Sequence, residues 1–157
     1  MSATGPDPSH GPESDARERA ARVGELMWAA DAASRELGMR LDDIGPGTAR
    51  CSLTVEARHA NGLGTCHGGV LFALADSAFA FACNGHGPRA VAQRCSIDFV
   101  SPARVGDALV ASARERHAAG RSGIYDVEVR RADGTTVALF RGNSRTVSGH
   151  HLEEPVP

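Results

Sequence analysis

The 157-residue sequence lacks the long apolar segments that mark membrane and secreted proteins. No run approaches the roughly 18 apolar residues that a membrane-spanning helix needs. The N-terminal sequence MSATGPDPSHGPESDARERAARVG also lacks the apolar stretch of a signal peptide. These absences predict a cytoplasmic protein with no membrane partner.

The sequence also lacks an excess of charge of one sign. Its 17 basic and 19 acidic side chains give a formal net charge of -2. Proteins that bind nucleic acid usually present a strong positive field, so we expect no nucleic-acid partner. An anionic small ligand is still compatible with this charge, because it needs only a few arginines at one place.

Paired cysteine motifs are absent as well. The four cysteines, Cys51, Cys66, Cys83 and Cys95, form no CxxC pair and have no spacing typical of a zinc site. A chain of this length with 41% hydrophobic residues can bury a core without a disulfide framework. We interpret these residues as reduced and mostly buried, and we expect neither a metal nor a cofactor.

Composition separates two predicted tails from one central domain. Residues 1–14 are rich in Pro, Gly, Ser and Asp, which predicts a disordered N-terminal tail. Residues 148–157 are predicted to form a second loose tail. The central residues 15–147 contain no repeat or linker, so we expect them to form a single domain.

Hydrophobic periodicity predicts an α+β fold for this domain. Apolar residues at three- and four-residue spacing predict a helix over 15–37, and alternation predicts a strand over 48–57. The alanine-rich apolar segment over 70–83 predicts a buried helix. Four antiparallel strands follow, separated by turn sequences, over 91–101, 107–118, 123–131 and 135–147. The expected arrangement is a helix packed against one sheet.

One carboxylate, Asp76, interrupts the apolar helix predicted over 70–83. An unpaired buried carboxylate costs several kcal/mol and normally shifts its pKa. Asp76 therefore either has a structural partner, such as an arginine, or takes part in catalysis. Phe72 and Phe79 share its helix face, where they are either walls of an apolar pocket or core residues.

The sequence His67-Gly68-Gly69 stands at the start of the same helix. The amides of the two glycines and the positive helix terminus can stabilise an oxyanion, and a flexible turn is the alternative. Gly68 and Asp76 are eight residues apart, which is roughly 12 Å along a helix. One carbonyl group cannot touch both. If they serve one reaction, the carboxylate must come from a second subunit of a two-fold dimer.

The segment from His59 to Asp76, HANGLGTCHGGVLFALAD, resembles the signature of hotdog-fold acyl-CoA thioesterases, and most closely those of the PaaI type. The resemblance continues through CSIDFVSPARVGD, GRSGIYDVEV and TVALFRGNSR. It implies a hotdog fold, in which an antiparallel sheet wraps a long central helix. It also implies a homodimer with a continuous sheet, commonly paired into a tetramer, and hydrolysis of aromatic acyl-CoA thioesters such as phenylacetyl-CoA or its ring-hydroxylated forms.

The resemblance also assigns roles to individual residues. The catalytic aspartate of the family matches Asp76, and its oxyanion-binding glycine amide matches Gly68. The family's asparagine and histidine match Asn61 and His67, which would position the thioester and water. Some hotdog thioesterases carry a serine near Ala92, so any proton-relay role of that serine is absent or moved in this chain.

Five further residues are expected to bind the substrate: two arginines, one glycine at the start of the apolar helix and two phenylalanines within it. The phosphates of CoA need cationic partners, for which Arg121 and Arg141 are the candidates. Each arginine can equally be a solvated surface charge. Gly69, Phe72 and Phe79 are the candidates for contact with the acyl thioester.

Two other functions remain open from the sequence. A hydratase or dehydratase on the same fold would use a histidine and an acid to move a proton at carbon, although no second hydratase motif is present. A non-catalytic acyl-CoA-binding module is the other alternative. A nucleophilic Cys66–His67 pair is disfavoured, because adjacent side chains do not usually point to the same place.

Overall fold

The computed structural model describes residues 11–153, which form an α+β domain of helices and strands. The helices are α1 (Pro12–Ala30), α2 (Ala32–Glu36) and α3 (Gly68–Asn84), and a short 3-10 helix spans Ala57–His59. The strands are β1 (Arg40–Gly45), β2 (Thr48–Thr54), β3 (Pro88–Phe99), β4 (Ala108–Ala119), β5 (Ser122–Arg131) and β6 (Thr136–His150). The tails predicted over 1–14 and 148–157 lie in part outside the described residues, at 1–10 and 154–157, whereas residues 12–14 belong to α1.

The strands form one antiparallel sheet in the order β1-β2-β4-β5-β6-β3, and α3 packs against its inner face. This is the hotdog arrangement, so the predicted α+β class and the predicted central helix are confirmed. Strand β3 pairs with β6 and not with β4, the next strand along the chain. No helix within residues 11–153 is long and apolar enough to cross a membrane.

The helix predicted over 15–37 is in fact two helices that meet at Asp31. The carboxylate of Asp31 accepts hydrogen bonds from the Ser34 amide at 3.0 Å and from its hydroxyl at 2.7 Å, so it caps α2. Helix α1 begins at Pro12 and buries Val23, whereas Leu26 is 53% exposed. The apolar spacing predicted helical structure correctly, but it did not predict the break at Asp31.

Strand β1 has no counterpart among the predicted elements. Its apolar residues Leu41 and Ile44 do not alternate, because the register with β2 shifts between Leu41 and Asp43. The later strands follow the prediction closely, although β6 continues to His150 and so enters the segment predicted as a C-terminal tail.

Helix α3 confirms the helix predicted over 70–83 and positions the residues of interest. Most of its side chains are buried against the sheet, among them Leu74, Ala75, Ala78 and Phe81. A stripe along one side is only partly covered, and we call it the α3 stripe. It consists of Phe72, Ala73, Asp76, Ser77 and Ala80.

Candidate active site

Asp76 lies in the middle of α3 on the α3 stripe. Partial burial raises the pKa of its carboxyl above the ordinary value. The Sγ atom of Cys95 lies 3.9 Å from its Oδ1 atom and donates a weak hydrogen bond, which opposes this rise. Among the ion pairs formed within residues 11–153, none includes Asp76. The structural alternative of an arginine partner therefore has no support within the chain.

His67 is the N-cap of α3. Its Nδ1 atom accepts a hydrogen bond from the Gly69 amide at 2.8 Å, and a neutral ring in this geometry carries its proton on the exposed Nε2 side. Its own amide donates to the His59 carbonyl at 2.8 Å. A Cβ atom on Gly69 would lie only 3.1 Å from this Nδ1 atom, so glycine makes room for the imidazole over the helix start.

The amide of Gly68 is the free donor at the start of α3. The Gly69 amide is bonded to the His67 ring, and the amides of Val70 and Leu71 donate to the His67 carbonyl. No hydrogen bond from the Gly68 amide is formed to any other described residue. The prediction that Gly69 contributes a second amide to a substrate is therefore wrong for this geometry, because that amide is already bonded.

Asn61 organises the loop that precedes α3. Its Oδ1 atom accepts hydrogen bonds from the amides of Leu63 at 2.9 Å and Thr65 at 3.2 Å, and its Nδ2 atom donates to the Thr65 hydroxyl at 3.0 Å. These bonds close residues 61–65 into a turn. A direct role of Asn61 towards a thioester or water, as the resemblance implies, would depend on the second proton of Nδ2.

A cavity of about 350 Å³ lies beside the Gly68 amide. The ring of Phe99 covers Gly68 so closely that a Cβ atom there would lie 3.1 Å from its Cζ atom. Asp76 is not among the residues that line this cavity, which are Asn61, Thr65, Cys66, Gly68, Leu71, Phe99, Val100, Ser101 and Pro102. One chain therefore holds the free amide and the carboxylate in two different places.

The two phenylalanines proposed as pocket walls have different environments. Phe79 is 1% exposed and packs with Tyr125 and Phe140 at centroid distances of 5.6 and 5.9 Å. It is a core residue, so its prediction as a substrate contact is wrong. Phe72 is half-buried on the α3 stripe beside Asp76 and packs edge-on against Phe140 at 5.3 Å, so it remains a candidate wall.

The two arginines proposed for CoA also differ. Arg141 donates to both carboxylate oxygens of Asp126, at 2.7 and 2.9 Å, on the outer face of the sheet. Its neighbour Phe140 faces α3, so Arg141 points away from the helix. Arg141 as a partner of a CoA phosphate stays a prediction, and in this chain its guanidinium is bonded to Asp126. Arg121 is exposed after β4 and donates to the Thr146 carbonyl at 3.1 Å, so it remains a candidate.

Two cysteines lie close to these groups. Cys66 is 4% exposed and its Sγ atom lies against the His67 carbonyl, so the structure does not form a Cys66–His67 nucleophile. Cys95, in contrast, contacts Asp76, and sequence reasoning missed it. The two residues are 19 positions apart and on different elements, so no local spacing connects them. Ala92 is exposed on β3 and offers no hydroxyl.

Comparison with known proteins identifies the family. Residues 63–138 match the family model of the thioesterase superfamily. Over 123 residues the chain is 46% identical to the acyl-coenzyme A thioesterase PaaI of Escherichia coli, a match that covers 78% of this chain and 88% of that protein. The chain belongs to the thioesterase superfamily.

Solved structures show which members of the superfamily this chain is similar to. The structure of the Escherichia coli PaaI protein from the phenylacetic acid degradation operon matches with a TM-score of 0.84 and 42% identity, over 85% of this chain and 97% of that one. A phenylacetic acid degradation protein PaaI from Thermus thermophilus matches with a TM-score of 0.72 and 41% identity, over 74% and 100% of the two chains. The protein is thus a hotdog-fold thioester hydrolase similar to the PaaI type, and the family resemblance drawn from the sequence is confirmed.

Proposed function

We propose that the protein hydrolyses aromatic acyl-CoA thioesters, of the phenylacetyl-CoA or hydroxyphenylacetyl-CoA type, to the free acid and CoA in phenylacetate degradation. The activity and the operon named for the Escherichia coli relative support this substrate class. The observation that carries the chemistry is the free Gly68 amide at a helix N-terminus together with the carboxylate of Asp76, which has no ion-pair partner among the described residues. These are an oxyanion donor and a base, the two groups that acyl transfer to water needs.

The active site in this proposal is shared between two subunits of a homodimer. Within one chain, Gly68 and Asp76 are separated by roughly 12 Å along α3. The cavity beside Gly68 is not lined by Asp76. A single thioester therefore reaches both groups only if one of them belongs to a second copy.

Strand β3 supplies the surface for this dimer. It is an edge of the sheet, and Val91 within it, Phe99 at its C-terminal end and Val100 just beyond that end are 49%, 57% and 55% exposed. An edge strand leaves backbone N–H and C=O groups unpaired on one side, which makes it a template for pairing with a second chain. Two β3 strands paired about a two-fold axis would continue the sheet and cover the α3 stripe in both subunits. We expect two such dimers to form a tetramer, as the family resemblance implies.

The reaction follows from these positions. The thioester oxygen accepts a hydrogen bond from the amide of Gly68 of the partner subunit, where the helix dipole also stabilises negative charge. Asp76 acts as a general base, because its raised pKa makes it a stronger base than an ordinary carboxylate. It takes a proton from water while the water oxygen bonds to the carbonyl carbon. The C–S bond then breaks, and the departing sulfur of CoA receives that proton.

Direct attack by Asp76 on the carbonyl carbon is the other route, and it would form a mixed anhydride. A single turnover in ¹⁸O-labelled water distinguishes general-base catalysis from an anhydride that water opens at the Asp76 carboxyl carbon. General-base catalysis places the label in the released acid. Label recovered in Asp76 would instead show that the anhydride forms.

Release of free CoA, followed with a thiol reagent, tests the proposed function. We expect phenylacetyl-CoA to be cleaved faster than short or long alkyl thioesters. Asp76→Asn should reduce kcat about 10²- to 10⁴-fold, whereas Asp43→Asn, in β1 at the opposite edge of the sheet, should have no effect. Full turnover by Asp76→Asn would contradict the proposal. Binding of CoA esters by the wild type without turnover would favour the non-catalytic module, and conversion without thiol release would favour a hydratase.

A further inference from the structure

Cys95 faces α3 because β3 contains a register shift between Ala92 and Arg94. Ala92 and Cys95 each pair with a buried position of β6, so both lie on the helix side of the sheet. Strict alternation from Ala92 would place Arg94 on that side instead. The bulge therefore turns the arginine outwards and the thiol inwards.

The register shift, which turns Arg94 outwards and Cys95 inwards, decides what kind of group contacts the Asp76 carboxylate. A guanidinium at this place would form an ion pair with Asp76, lower its pKa by roughly 1 to 3 units and weaken it as a base. A thiol is an uncharged, weak donor. With its Sγ atom 3.9 Å from Oδ1, Cys95 contacts the carboxylate without neutralising it.

The titratable groups that the described residues place around Asp76 are two thiols. Cys95 faces it from β3, and Cys83 lies on α3 itself. Burial, and to a smaller degree the charge of Asp76, raises the pKa of Cys95 to about 11 and that of Cys83 to about 12, so both are protonated at neutral pH. The Cys83 thiol lies 3.4 Å from the Ala80 carbonyl, to which it donates, which leaves Cys95 as the donor to the carboxylate.

We infer that Cys95 is a positioning residue for hydrolysis, whose S–H group fixes the orientation of the Asp76 carboxylate without adding a charge beside it. This inference rests on the proposed function, because it gives Cys95 a task in the reaction that Asp76 performs. It also gives the register shift of β3 a chemical consequence.

The test compares Cys95→Ala with Cys95→Ser, using Cys51→Ala as a control for loss of a buried thiol elsewhere, in β2. Loss of the donor should reduce kcat about threefold to tenfold with little change in KM. It should also move the acidic limb of the kcat/KM profile to higher pH, because the lost hydrogen bond favours the ionised carboxylate. Cys95→Ser keeps a donor, so its limb should lie nearer to that of the wild type. Cys51→Ala should leave the limb in place.

A titration of the Asp76 carboxyl by ¹³C NMR reads the same contact without using activity. We expect its pKa to be higher in Cys95→Ala than in the wild type and intermediate in Cys95→Ser. An unchanged pKa and kcat in Cys95→Ala would overturn the inference, and so would equal effects of the two substitutions. Failure of the proposed function looks different, because wild type would then release no CoA, or Asp76→Asn would release it at the normal rate.

Discussion

The imidazole of His67 accepts a hydrogen bond from the Gly69 amide at 2.8 Å, and this contact decides which amide of the helix start is free. Of the amides of residues 68–71, three are bonded to the ring or the carbonyl of His67, and Gly68 alone is left. The His67 cap therefore does more than start the helix. It leaves a single amide of the helix start without a bond to His67, at a residue that lines the cavity.

Replacing His67 tests this role of the cap. His67→Ala removes the acceptor for the Gly69 amide and should lower the free energy of unfolding by about 1 kcal/mol. His67→Asn offers another capping acceptor and should recover most of that loss. Urea unfolding of the two variants measures the difference. An alanine variant as stable as the wild type would show that the hydrogen bond does not hold the helix start.

Replacing Gly68 tests the free amide. Gly68→Pro removes the N–H group at a helical position that proline favours, and the extended backbone of His67, with φ -61° and ψ 134°, suits a residue before proline. We expect kcat to fall about 10²- to 10³-fold. Gly68→Ala keeps the amide and only presses a Cβ atom against Phe99, so it should lose far less. Equal losses in the two variants would mean that space at Gly68, and not its amide, matters.

The raised pKa of Asp76 predicts a stability that depends on pH. The folded protein holds the proton of this carboxyl more tightly than the unfolded chain does, so its contribution to stability falls as the pH rises from the unfolded value, near 3.8, through the folded pKa. Asp76→Asn carries no charge to bury. It should therefore unfold at higher urea than the wild type at neutral pH, with the advantage disappearing in acid. A less stable asparagine variant at neutral pH would reveal a favourable partner for the carboxylate.

Much of the fold follows from local sequence signals. The alanine-rich apolar segment of α3 is typical of a buried helix, and the turn sequences separate the later strands correctly. The break at Asp31 was missed because apolar spacing continues across it, and β1 was missed because its bulge breaks the alternation. The pairing of β3 with β6 is a long-range choice that hydrophobic alternation does not encode.

Local sequence signals also predicted part of the candidate site. Asp76 was found because a charge stands out in an apolar helix, and Gly68 because its position at a helix start has a chemical meaning. The hydrogen bond from the Gly69 amide to the His67 ring, which leaves that amide unable to bind a substrate, could not be predicted, because histidine is not among the usual capping residues. Cys95 meets Asp76 only because of a register shift in β3, which no periodicity of the sequence reveals.

The shared site is tested most directly by mixing two inactive variants, Asp76→Asn and Gly68→Pro. In a dimer made of one chain of each, one site carries both substitutions and the other carries neither. After equal amounts are unfolded and refolded together, about half of the dimers are mixed, so about a quarter of wild-type activity should return. Activity that stays at the level of the separate variants would contradict a site built from Asp76 of one subunit and Gly68 of the partner subunit.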